Sequence, residues 1–309
     1  MKVRIAVGVD IGGTNTKLGL VTPDGVLRGF RSFKTQDFVN FENYAQALFR
    51  QIQELIDIKK TTSLAELPLA GIGVGVPNAN WNTGMVEAPH NFKWGKIDLA
   101  HRLEAHFSLP TEIDNDANTA AIGESLFGVA KGVPDFIMTT LGTGVGTGVF
   151  AEGKIIRSAN GKAGEGGHLI VDPKGRTCLC GGIGHLEGYC SSSGVEKTGQ
   201  EVFGRKISTL EVSDLYAKGD VQAEKVVELT AEWLGLGFAN MASILNPSLF
   251  VIGGGVSQMA ADFDKRVQHW MDHYTFKSIR HEARVRLSAT NQDTGSVLGA
   301  GALILHGKS

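Results

Sequence analysis

Three short apolar runs open the chain. Residues 3–9 (VRIAVGV) form a nearly continuous apolar stretch that predicts a buried strand, and residues 16–22 and 26–33 predict two more strands. Residues 23–25, with the sequence Pro-Asp-Gly, predict a tight turn between the second and third runs. The pattern therefore indicates a three-stranded meander with a glycine-rich turn after its first strand.

The periodicity becomes helical at residue 40. Apolar residues between 40 and 57 fall on one helical face, so this segment predicts an amphipathic helix. A buried strand is predicted at 70–76, and a short strand at 111–113 leads into a helix from 116 to about 127. Gly128 follows that helix, as expected of a residue that closes one.

A second copy of the opening pattern begins at residue 136. Strands are predicted at 136–141, 147–150 and 154–157, again with a Gly/Thr-rich turn after the first and a tight turn after the second. We interpret this as an internal repeat of a length suited to duplicated domains. The remaining predicted elements are a helix at 221–245, a strand at 249–252 and a helix at 295–305. Mixed strands and helices of this kind indicate an α/β protein.

Composition narrows the class of protein. The chain has 309 residues, enough for two domains, and is 42% hydrophobic and 20% charged, which suits a globular protein with a sizeable core. A formal net charge of -2 favours neither nucleic acid nor an anionic membrane as a partner. No apolar run approaches the roughly 20 residues of a membrane span, and the start lacks a signal-peptide core. We therefore expect a cytoplasmic protein with no nucleic-acid or membrane partner.

The first glycine-rich turn combines several groups that bind phosphate. A strand ends at an acid, two glycines let the backbone come close to a ligand, and consecutive backbone N–H groups can form an anion-binding nest. Two hydroxyls and a lysine add donors and a positive charge. A simple hairpin turn is the alternative. The predicted nucleotide-binding residues here are Asp10, Gly12, Gly13, Thr14, Thr16 and Lys17.

Two further glycine-rich turns follow predicted strands. The turn at 142–148 repeats the chemistry of the first without the lysine, and its alternative is a flexible turn. The turn at 253–255 would admit a flat ligand close to the backbone, and its alternative is a helix-entry turn. No segment matches the dinucleotide fingerprint or the Walker-type loop. The predicted nucleotide-binding residues of the two turns are Gly142, Thr143, Gly144, Gly146, Gly253, Gly254 and Gly255.

Acidic and amide side chains cluster where the strand at 111–113 becomes a helix. Asp116 is well placed to accept a proton from a substrate hydroxyl, as a carboxylate does in phosphoryl transfer. The alternative is that these residues only cap the helix. One residue would suffice as a cap, whereas this segment offers Asp114, Asn115, Asp116 and Asn118.

Cysteine and histidine residues cluster between 165 and 190. Two Cys and two His can furnish the four ligands of a closed structural zinc site, and the chain offers His168, Cys178, Cys180 and His185. Glu165 and Glu187 flank this loop, where they could accept hydrogen bonds from sugar hydroxyls. The alternative is a loop with free thiols. Cys190 follows the cluster, and we interpret it as a bystander that could compete with His185 as a ligand.

Together these motifs resemble the ROK family (repressor, open reading frame, kinase) of the hexokinase–actin–heat-shock ATPase superfamily. The resemblance covers nearly the whole chain. It implies a two-domain actin-like ATPase (ribonuclease H-like) fold with a central cleft. We expect a smaller domain at 1–115 plus about 293–309, and a larger one at 116–292 that carries the zinc loop.

The resemblance also implies roles for individual residues. Asp116 would be the catalytic base, and Asp10 would lie near Mg²⁺ and contact it through water. The expected sugar-binding residues are Asn78, Asn115, Asp116, Glu165, His168 and Glu187, with His168 also ligating zinc. ATP, Mg²⁺ and a structural Zn²⁺ are the implied cofactors, and a homodimer is the expected assembly.

Two departures from the family pattern stand out. The usual signature has a third cysteine where this chain has His185, which leaves a zinc site of two His and two Cys with less negative charge. The repressor members carry an N-terminal helix-turn-helix, whereas this chain reaches its first phosphate strand at residue 3, so we expect no such module.

The leading expectation is therefore an ATP-dependent hexokinase that phosphorylates the 6-hydroxyl of glucose. Kinases for N-acetylglucosamine or N-acetylmannosamine share every motif, and a fructokinase is a further alternative. A sugar sensor without catalysis is the alternative of a different class. Such a sensor could have lost Asp116 or the phosphate turns, and this chain keeps both.

Overall fold

The computed structural model describes residues 3–87, 94–290 and 294–306, and the chain forms two compact units. The first unit comprises Met1–Lys131, Arg157–Ala163 and Thr290–Ser309, and the second comprises Gly132–Ile156 and Gly164–Ala289. The expected boundary at 115 and 116 therefore falls inside the first unit. The reason is that the helix beginning at Asp116 packs against the last helix of the chain, which belongs to the same unit.

A five-stranded mixed sheet forms the centre of the first unit. Its strand order is β3-β2-β1-β4-β8, with antiparallel pairing along β3-β2-β1 and parallel pairing along β1-β4-β8. The strands are β1 (Ile5–Ile11), β2 (Asn15–Val21), β3 (Leu27–Lys34), β4 (Leu69–Gly75) and β8 (Thr111–Asp114). A small antiparallel sheet lies beside it and consists of β5 (Ala79–Asn80), β6 (Met85–Glu87) and β7 (Lys96–Ile97).

Four α-helices accompany these sheets in the described part of the first unit. They are α1 (Phe41–Lys60), α2 (Leu99–Phe107), α3 (Asp116–Phe127) and α9 (Gly295–Leu305), and a 3-10 turn spans Thr35–Asp37. The side chain of Asn40 caps α1 by accepting a hydrogen bond from the backbone N–H of Asn43. The apolar face of α1 is buried at helical spacing, as its sequence predicts.

Glycines allow α9 to approach the central sheet very closely. A Cβ added at Gly8 of β1 would lie 2.1 Å from the carbonyl oxygen of Val297, and one at Gly73 of β4 would lie 1.8 Å from that of Ala300. No side chain fits such gaps, so glycine is required at both positions. Because α9 also packs against α3, the start of α3 is held against the rigid centre of the unit.

The second unit repeats the sheet of the first. Its strand order is β11-β10-β9-β12-β13, with the same two antiparallel and two parallel pairings. The strands are β9 (Phe136–Leu141), β10 (Val145–Ala151), β11 (Lys154–Ile155), β12 (Leu249–Gly253) and β13 (Arg284–Leu287). The identical order confirms the internal repeat that the sequence predicts.

Helices pack on the second sheet and against one another. They are α4 (Glu187–Cys190), α5 (Ser192–Phe203), α6 (Thr209–Ala217), α7 (Val221–Leu245) and α8 (Phe263–Tyr274), and 3-10 turns span Gly166–His168 and Gly255–Gln258. The buried rings of Phe238 in α7 and Phe250 in β12 stack with centroids 4.4 Å apart. This contact fixes the long helix on the strand that leads to the third glycine-rich turn.

Most predicted strands differ from the structure by one or two residues at an end, and two in the second sheet differ for identifiable reasons. The strand predicted at 147–150 begins at Val145, because residues of the glycine-rich segment already pair with β9. The strand predicted at 154–157 ends at Ile155. Arg157 leaves the second sheet because it belongs to the first unit, where it pairs with Asp114.

Candidate functional site

The first glycine-rich turn consists of three residues between β1 and β2. Gly12, Gly13 and Thr14 form the turn, and the backbone N–H of Gly12 donates to the carbonyl of Asn15 at 3.0 Å. Thr14 is exposed at the end of the turn. The turn therefore presents short side chains and accessible backbone, as a phosphate-binding nest requires.

Thr16 lies inside the unit and not on the surface of this turn. Its side chain is fully buried, and its hydroxyl lies 2.9 Å from that of Thr35 and 2.8 Å from that of Tyr44. Burial raises the pKa of the Tyr44 phenol, so Tyr44 stays neutral in this hydrogen-bonded chain. The sequence predicts that Thr16 binds nucleotide, whereas its buried hydroxyl forms hydrogen bonds with Thr35 and Tyr44 inside the unit.

Asp10 lies at the end of β1, directly opposite Lys17 of β2. Its Oδ2 accepts a hydrogen bond from the hydroxyl of Ser296 in α9 at 2.7 Å. Burial raises the pKa of the Asp10 carboxyl, while the Ser296 hydroxyl and the charge of Lys17 oppose that rise. A carboxylate in this position, supported by one donor and one cation, could take part in holding a hydrated Mg²⁺.

Asp116 is the first residue of α3, at the carboxyl end of β8. Asn115 precedes it and caps the helix, because its Oδ1 accepts from the backbone N–H of Ala117 at 2.9 Å. The Oδ1 of Asp116 lies 3.0 Å from the same N–H. Asn115 therefore caps the helix, as the alternative interpretation expected. The carboxylate of Asp116 lies in the first turn, where the helix N-terminus stabilises a negative charge.

The turn after β4 places Asn78 in the first unit. Its backbone is left-handed, with a φ of 57°, and its Nδ2 donates to the carbonyl of Glu87 at 3.3 Å. The backbone N–H of Glu87 in turn donates to the carbonyl of Asn78 at 3.0 Å. These bonds fix the orientation of Asn78 at the strand end.

The second glycine-rich turn, Gly142 to Gly144, repeats the three-residue length of the first. Thr143 at its tip is exposed. The carbonyl of Gly142 accepts hydrogen bonds from the backbone N–H of Ser192 at 2.8 Å and from its hydroxyl at 3.0 Å. Since Ser192 begins α5, this helix holds one end of the turn. Gly146, also predicted to bind nucleotide, lies just beyond it in β10.

The third glycine-rich turn follows β12. Gly253 is buried at the end of the strand, and a Cβ added there would lie 2.7 Å from the side chain of Met138. Gly254 has a φ of 90°, so its backbone favours glycine. Gly255 is exposed, and a Cβ added there would meet nothing within 4 Å. The open side of this turn is therefore at Gly255.

The structure brings the four predicted metal ligands together in the second unit. One ligand atom from each of His168, Cys178, Cys180 and His185 lies within 4.8 Å of the others. The Sγ of Cys180 is 3.2 Å from the Nδ1 of His185. Cys190 lies apart from this cluster: it is buried, and its Sγ contacts the carbonyl of Thr230 at 3.7 Å.

The donor set fits a tetrahedral zinc ion. Two thiols and two imidazoles are the ligand types of closed structural sites. The Nδ1 of His168 is buried and has no hydrogen-bond partner among the described residues, which is unusual for a ring nitrogen unless it has another ligand. Burial, together with a hydrogen bond to Glu187, raises the pKa of the Cys178 thiol to about 12, so a nearby cation would be required to hold it as a thiolate.

Glu165 and Glu187 flank this cluster, as the sequence predicts, but they differ in their contacts. Glu165 is largely exposed, and its Oε2 lies 3.9 Å from the Nε2 of His168. Glu187 accepts from the backbone N–H of Val145 at 3.1 Å and from the Sγ of Cys178 at 3.1 Å. It therefore joins the Cys/His cluster to the second glycine-rich turn.

Thr147 holds the backbone on both sides of Glu165, a role that the sequence does not predict. It is buried in β10, its hydroxyl donates to the carbonyl of Gly164, and it accepts from the backbone N–H of Gly166 at 2.8 Å. These bonds hold both neighbours of Glu165. In the sequence, the signal for Thr147 is its place in a Gly/Thr-rich segment that is repeated. Thr16, which follows the first turn, is also buried.

Comparison with known proteins identifies the family. The sequence model described as the ROK family matches residues 6–306. The chain belongs to the ROK family. A glucokinase of Halalkalibacterium halodurans is 33% identical over 98% of this chain and 96% of its own length. A xylose repressor of Caldicellulosiruptor bescii is 32% identical over 86% of this chain and 72% of its own.

Solved structures of this ROK family agree with the fold. The crystal structure of a ROK family glucokinase from Streptomyces griseus, in complex with glucose and AMPPNP, has a TM-score of 0.84 and 27% identity. The match covers 98% of this chain and 100% of that one. It confirms the prediction of a two-domain α/β fold of the actin-like ATPase class. Within the residues that the structure describes, none of the helices combines the length and the apolar character needed to cross a bilayer.

Proposed function

We propose that this ROK family sugar kinase is an ATP-dependent hexokinase that phosphorylates the 6-hydroxyl of glucose. The observation that carries the proposal is the full-length similarity to the Halalkalibacterium glucokinase, together with the presence here of every predicted catalytic and nucleotide-binding motif. Phosphoryl transfer needs little covalent chemistry from the protein, which mainly positions the reactants and stabilises charge.

The nucleotide would be bound by the glycine-rich turns. In the first unit, the turn at 12–14 would receive phosphate oxygens through backbone N–H groups, with Lys17 adding a positive charge. In the second unit, the turn at 142–144 would do the same, and the open side of the turn at 253–255 would accept the flat adenine. Asp10 would contact the hydrated Mg²⁺ that accompanies the phosphates.

The proposed sugar-binding residues are Asn78, Asn115, Asp116, Glu165, His168 and Glu187. Asp116 would accept the proton of the attacking hydroxyl as the new P–O bond forms. Its place at a helix N-terminus favours the ionised carboxylate that this role requires.

The metal would have a structural role. His168, Cys178, Cys180 and His185 would hold Zn²⁺, which would supply rigidity to the loop and no step of the transfer. Glu187 follows the last of these ligands by two residues and contacts the second glycine-rich turn. A rigid loop would therefore keep Glu187 in place for both sugar and turn.

The similarity to a xylose repressor supports a second candidate function, a sugar sensor without catalysis. The two candidates differ in what they require of Asp116 and the phosphate turns. A sensor needs only the sugar-binding residues, whereas a kinase also needs Asp116 as the base and the phosphate turns. Kinases for N-acetylglucosamine or N-acetylmannosamine, and a fructokinase, would use the same residues and differ in the sugar they accept.

A coupled assay of ADP formation over a panel of sugars tests the proposal. The panel would contain glucose, N-acetylglucosamine, N-acetylmannosamine, fructose and xylose, each with and without Mg²⁺. The proposal expects the highest kcat/KM with glucose, dependence on Mg²⁺, and phosphate on O6 of the product by NMR. Binding of a sugar without turnover of any would favour the sensor. Light scattering of the purified protein would test the homodimer that we also propose.

A further inference from the structure

A buried ion pair lies directly before the proposed catalytic base, in the first unit. The Nε of Arg157 donates to the Oδ2 of Asp114 at 2.7 Å, and the side chains are 15% and 0% exposed. The guanidinium also lies over the ring of Trp81, 4.3 Å from its centroid. Arg157 is thus held on two sides, by a carboxylate and by an aromatic face.

The other oxygen of Asp114 organises the start of α3. Its Oδ1 accepts from the backbone N–H of Asn115 at 2.8 Å and from the Nδ2 of Asn118 at 2.8 Å. These two residues lie on either side of Asp116 in the chain. Burying a carboxylate that is wholly excluded from water is costly unless it is paired, and Arg157 pairs with it.

We propose that Arg157 is a positioning residue for phosphoryl transfer, which acts through Asp114 to fix Asn115 and Asp116 at the start of α3. Arg157 touches none of the reacting groups in this scheme. It orients Asp114, and Asp114 orients the helix start that presents the base. A displacement of about 1 Å in such a group can lower a rate by roughly a hundredfold. The inference rests on the proposed role of Asp116 as the base.

The chain offers a matched control in the same unit. Arg102 pairs with Glu42 at 2.8 Å and lies over the ring of Phe41, 5.1 Å from its centroid. It therefore has the same two kinds of partner as Arg157, but its pair is exposed and lies on α2, away from α3. Arg102→Met controls for the loss of an arginine with both kinds of partner, but breaking a buried pair costs more stability than breaking an exposed one. The free energy of unfolding is therefore measured beside kcat for both variants.

The test is a double-mutant cycle with Arg157→Met, Asp114→Asn and both changes together, beside Arg102→Met. We expect Arg157→Met to lower kcat by at least about tenfold with the KM for ATP unchanged, and Arg102→Met to leave both within about twofold. In the Asp114→Asn background, where no buried carboxylate needs a partner, Arg157→Met should lower kcat much less. Equal effects in both backgrounds, or an unchanged kcat in Arg157→Met, would overturn the proposal.

Chemical rescue separates positioning from general stability. In Arg157→Ala, guanidinium ions at millimolar concentration should restore part of kcat, whereas equal ionic strength from sodium chloride should not. Rescue that is absent in a folded Arg157→Ala protein, judged by circular dichroism, would count against the proposal. If that protein does not fold, Arg157→Lys takes its place: it keeps the charge without the planar donor, and a kcat equal to wild type would count against the proposal.

Hydrogen exchange tests the inference independently of turnover. Peptides covering the start of α3 should exchange faster in Arg157→Met than in wild type, and no faster in Arg102→Met. If wild-type protein phosphorylates no sugar, the proposed function has failed, while this measurement still decides whether Arg157 orders the helix start. Unchanged exchange at residues 115–119 in Arg157→Met would refute the positioning role even in an active kinase.

Discussion

The carboxylate of Glu187 accepts a hydrogen bond from the backbone N–H of Val145 at 3.1 Å. Val145 is the first residue after the second glycine-rich turn, and Glu187 lies two residues after the metal-ligand candidate His185. A Cβ added at Gly144 would lie only 2.6 Å from the Oε2 of Glu187, so glycine at this position leaves room for the carboxylate. One side chain in the second unit thus connects the proposed sugar loop with a proposed nucleotide turn.

This connection predicts that Glu187→Ala impairs the use of both substrates. We expect the KM for ATP to rise several-fold along with the KM for sugar, because the turn loses the acceptor that holds Val145. Glu165→Ala is the matched control, since Glu165 is exposed and contacts only His168 in the cluster. It should raise the KM for sugar alone. An unchanged KM for ATP in Glu187→Ala, measured in the coupled assay, would contradict the connection.

The metal cluster predicts one zinc ion per chain. Elemental analysis should find it in protein purified without chelators. Removal of the zinc by a strong chelator should lower the melting temperature and raise the KM for sugar. The reason is that the loop that carries His168 and Glu187 loses the metal–ligand bonds that hold it together. A chelated protein with unchanged melting temperature and KM would show that the cluster does not need a metal.

Substitutions can decide which residue completes that site. His185→Cys should retain zinc and bind it at least as tightly, since it restores a thiolate at the position. His185→Ala should lose it. Cys190→Ala is the control, because Cys190 is buried against Thr230 and outside the cluster, so its zinc content should equal that of wild type. Loss of zinc in Cys190→Ala, with zinc retained in His185→Ala, would reverse the assignment.

The contact between Ser296 and Asp10 predicts a shift in pH dependence. The hydroxyl of Ser296 stabilises the ionised form of Asp10 and so opposes the rise in pKa caused by burial. Ser296→Ala removes that donor, so the pKa of Asp10 should rise further and the carboxylate should be lost at a higher pH. The acidic limb of the kcat/KM profile should therefore move to higher pH. Ser125→Ala, whose hydroxyl bonds only within α3, should leave the limb in place.

The packing of α9 on the sheet predicts a large cost for Gly73→Ala. A Cβ there would lie 1.8 Å from the carbonyl oxygen of Ala300, so helix or strand must shift. Overpacking of this kind costs about 1–3 kcal/mol and occasionally more. Gly142→Ala is the control for stability, since a Cβ there meets nothing within 4 Å. Urea unfolding of the two variants should differ by at least about 1 kcal/mol, and equal midpoints would contradict the close approach.

Much of the fold could be predicted from local pattern alone. The predicted bounds of β9 (136–141), α7 (221–245) and α9 (295–305) agree with the structure at both ends. For α7 the reason is clear: Asp220 caps its start by accepting from two backbone N–H groups, and Asn246 ends it in the left-handed conformation. Strong signals at both ends leave little freedom for the boundary.

The parts that sequence could not predict depend on distant contacts. An exception is α8, which was not predicted although it buries Phe263, Val267 and Met271 at helical spacing. The burial of Thr16 depends on Tyr44 and Thr35, far away in the chain. Arg157 pairs with Asp114 because residues 157–163 belong to the first unit, although the segments before and after them belong to the second. No local sequence pattern indicates this.

Asp116→Ala should remove catalysis while leaving sugar binding nearly intact. A positioned general base contributes about 10²–10⁴-fold to a rate, so kcat should fall by that range, while the Kd for glucose measured by calorimetry should change little. Asp98→Ala is the control for the loss of a carboxylate at a helix N-terminus, because Asp98 caps α2 by accepting from the backbone N–H of His101. Asp98→Ala should lose about 1 kcal/mol of stability and Asp116→Ala about 0.3–1 kcal/mol from the helix dipole, and only Asp116→Ala should lose turnover. A folded Asp116→Ala protein with near-wild-type kcat would show that another group accepts the proton, and that Asp116 serves α3 only as a negative charge at its first turn.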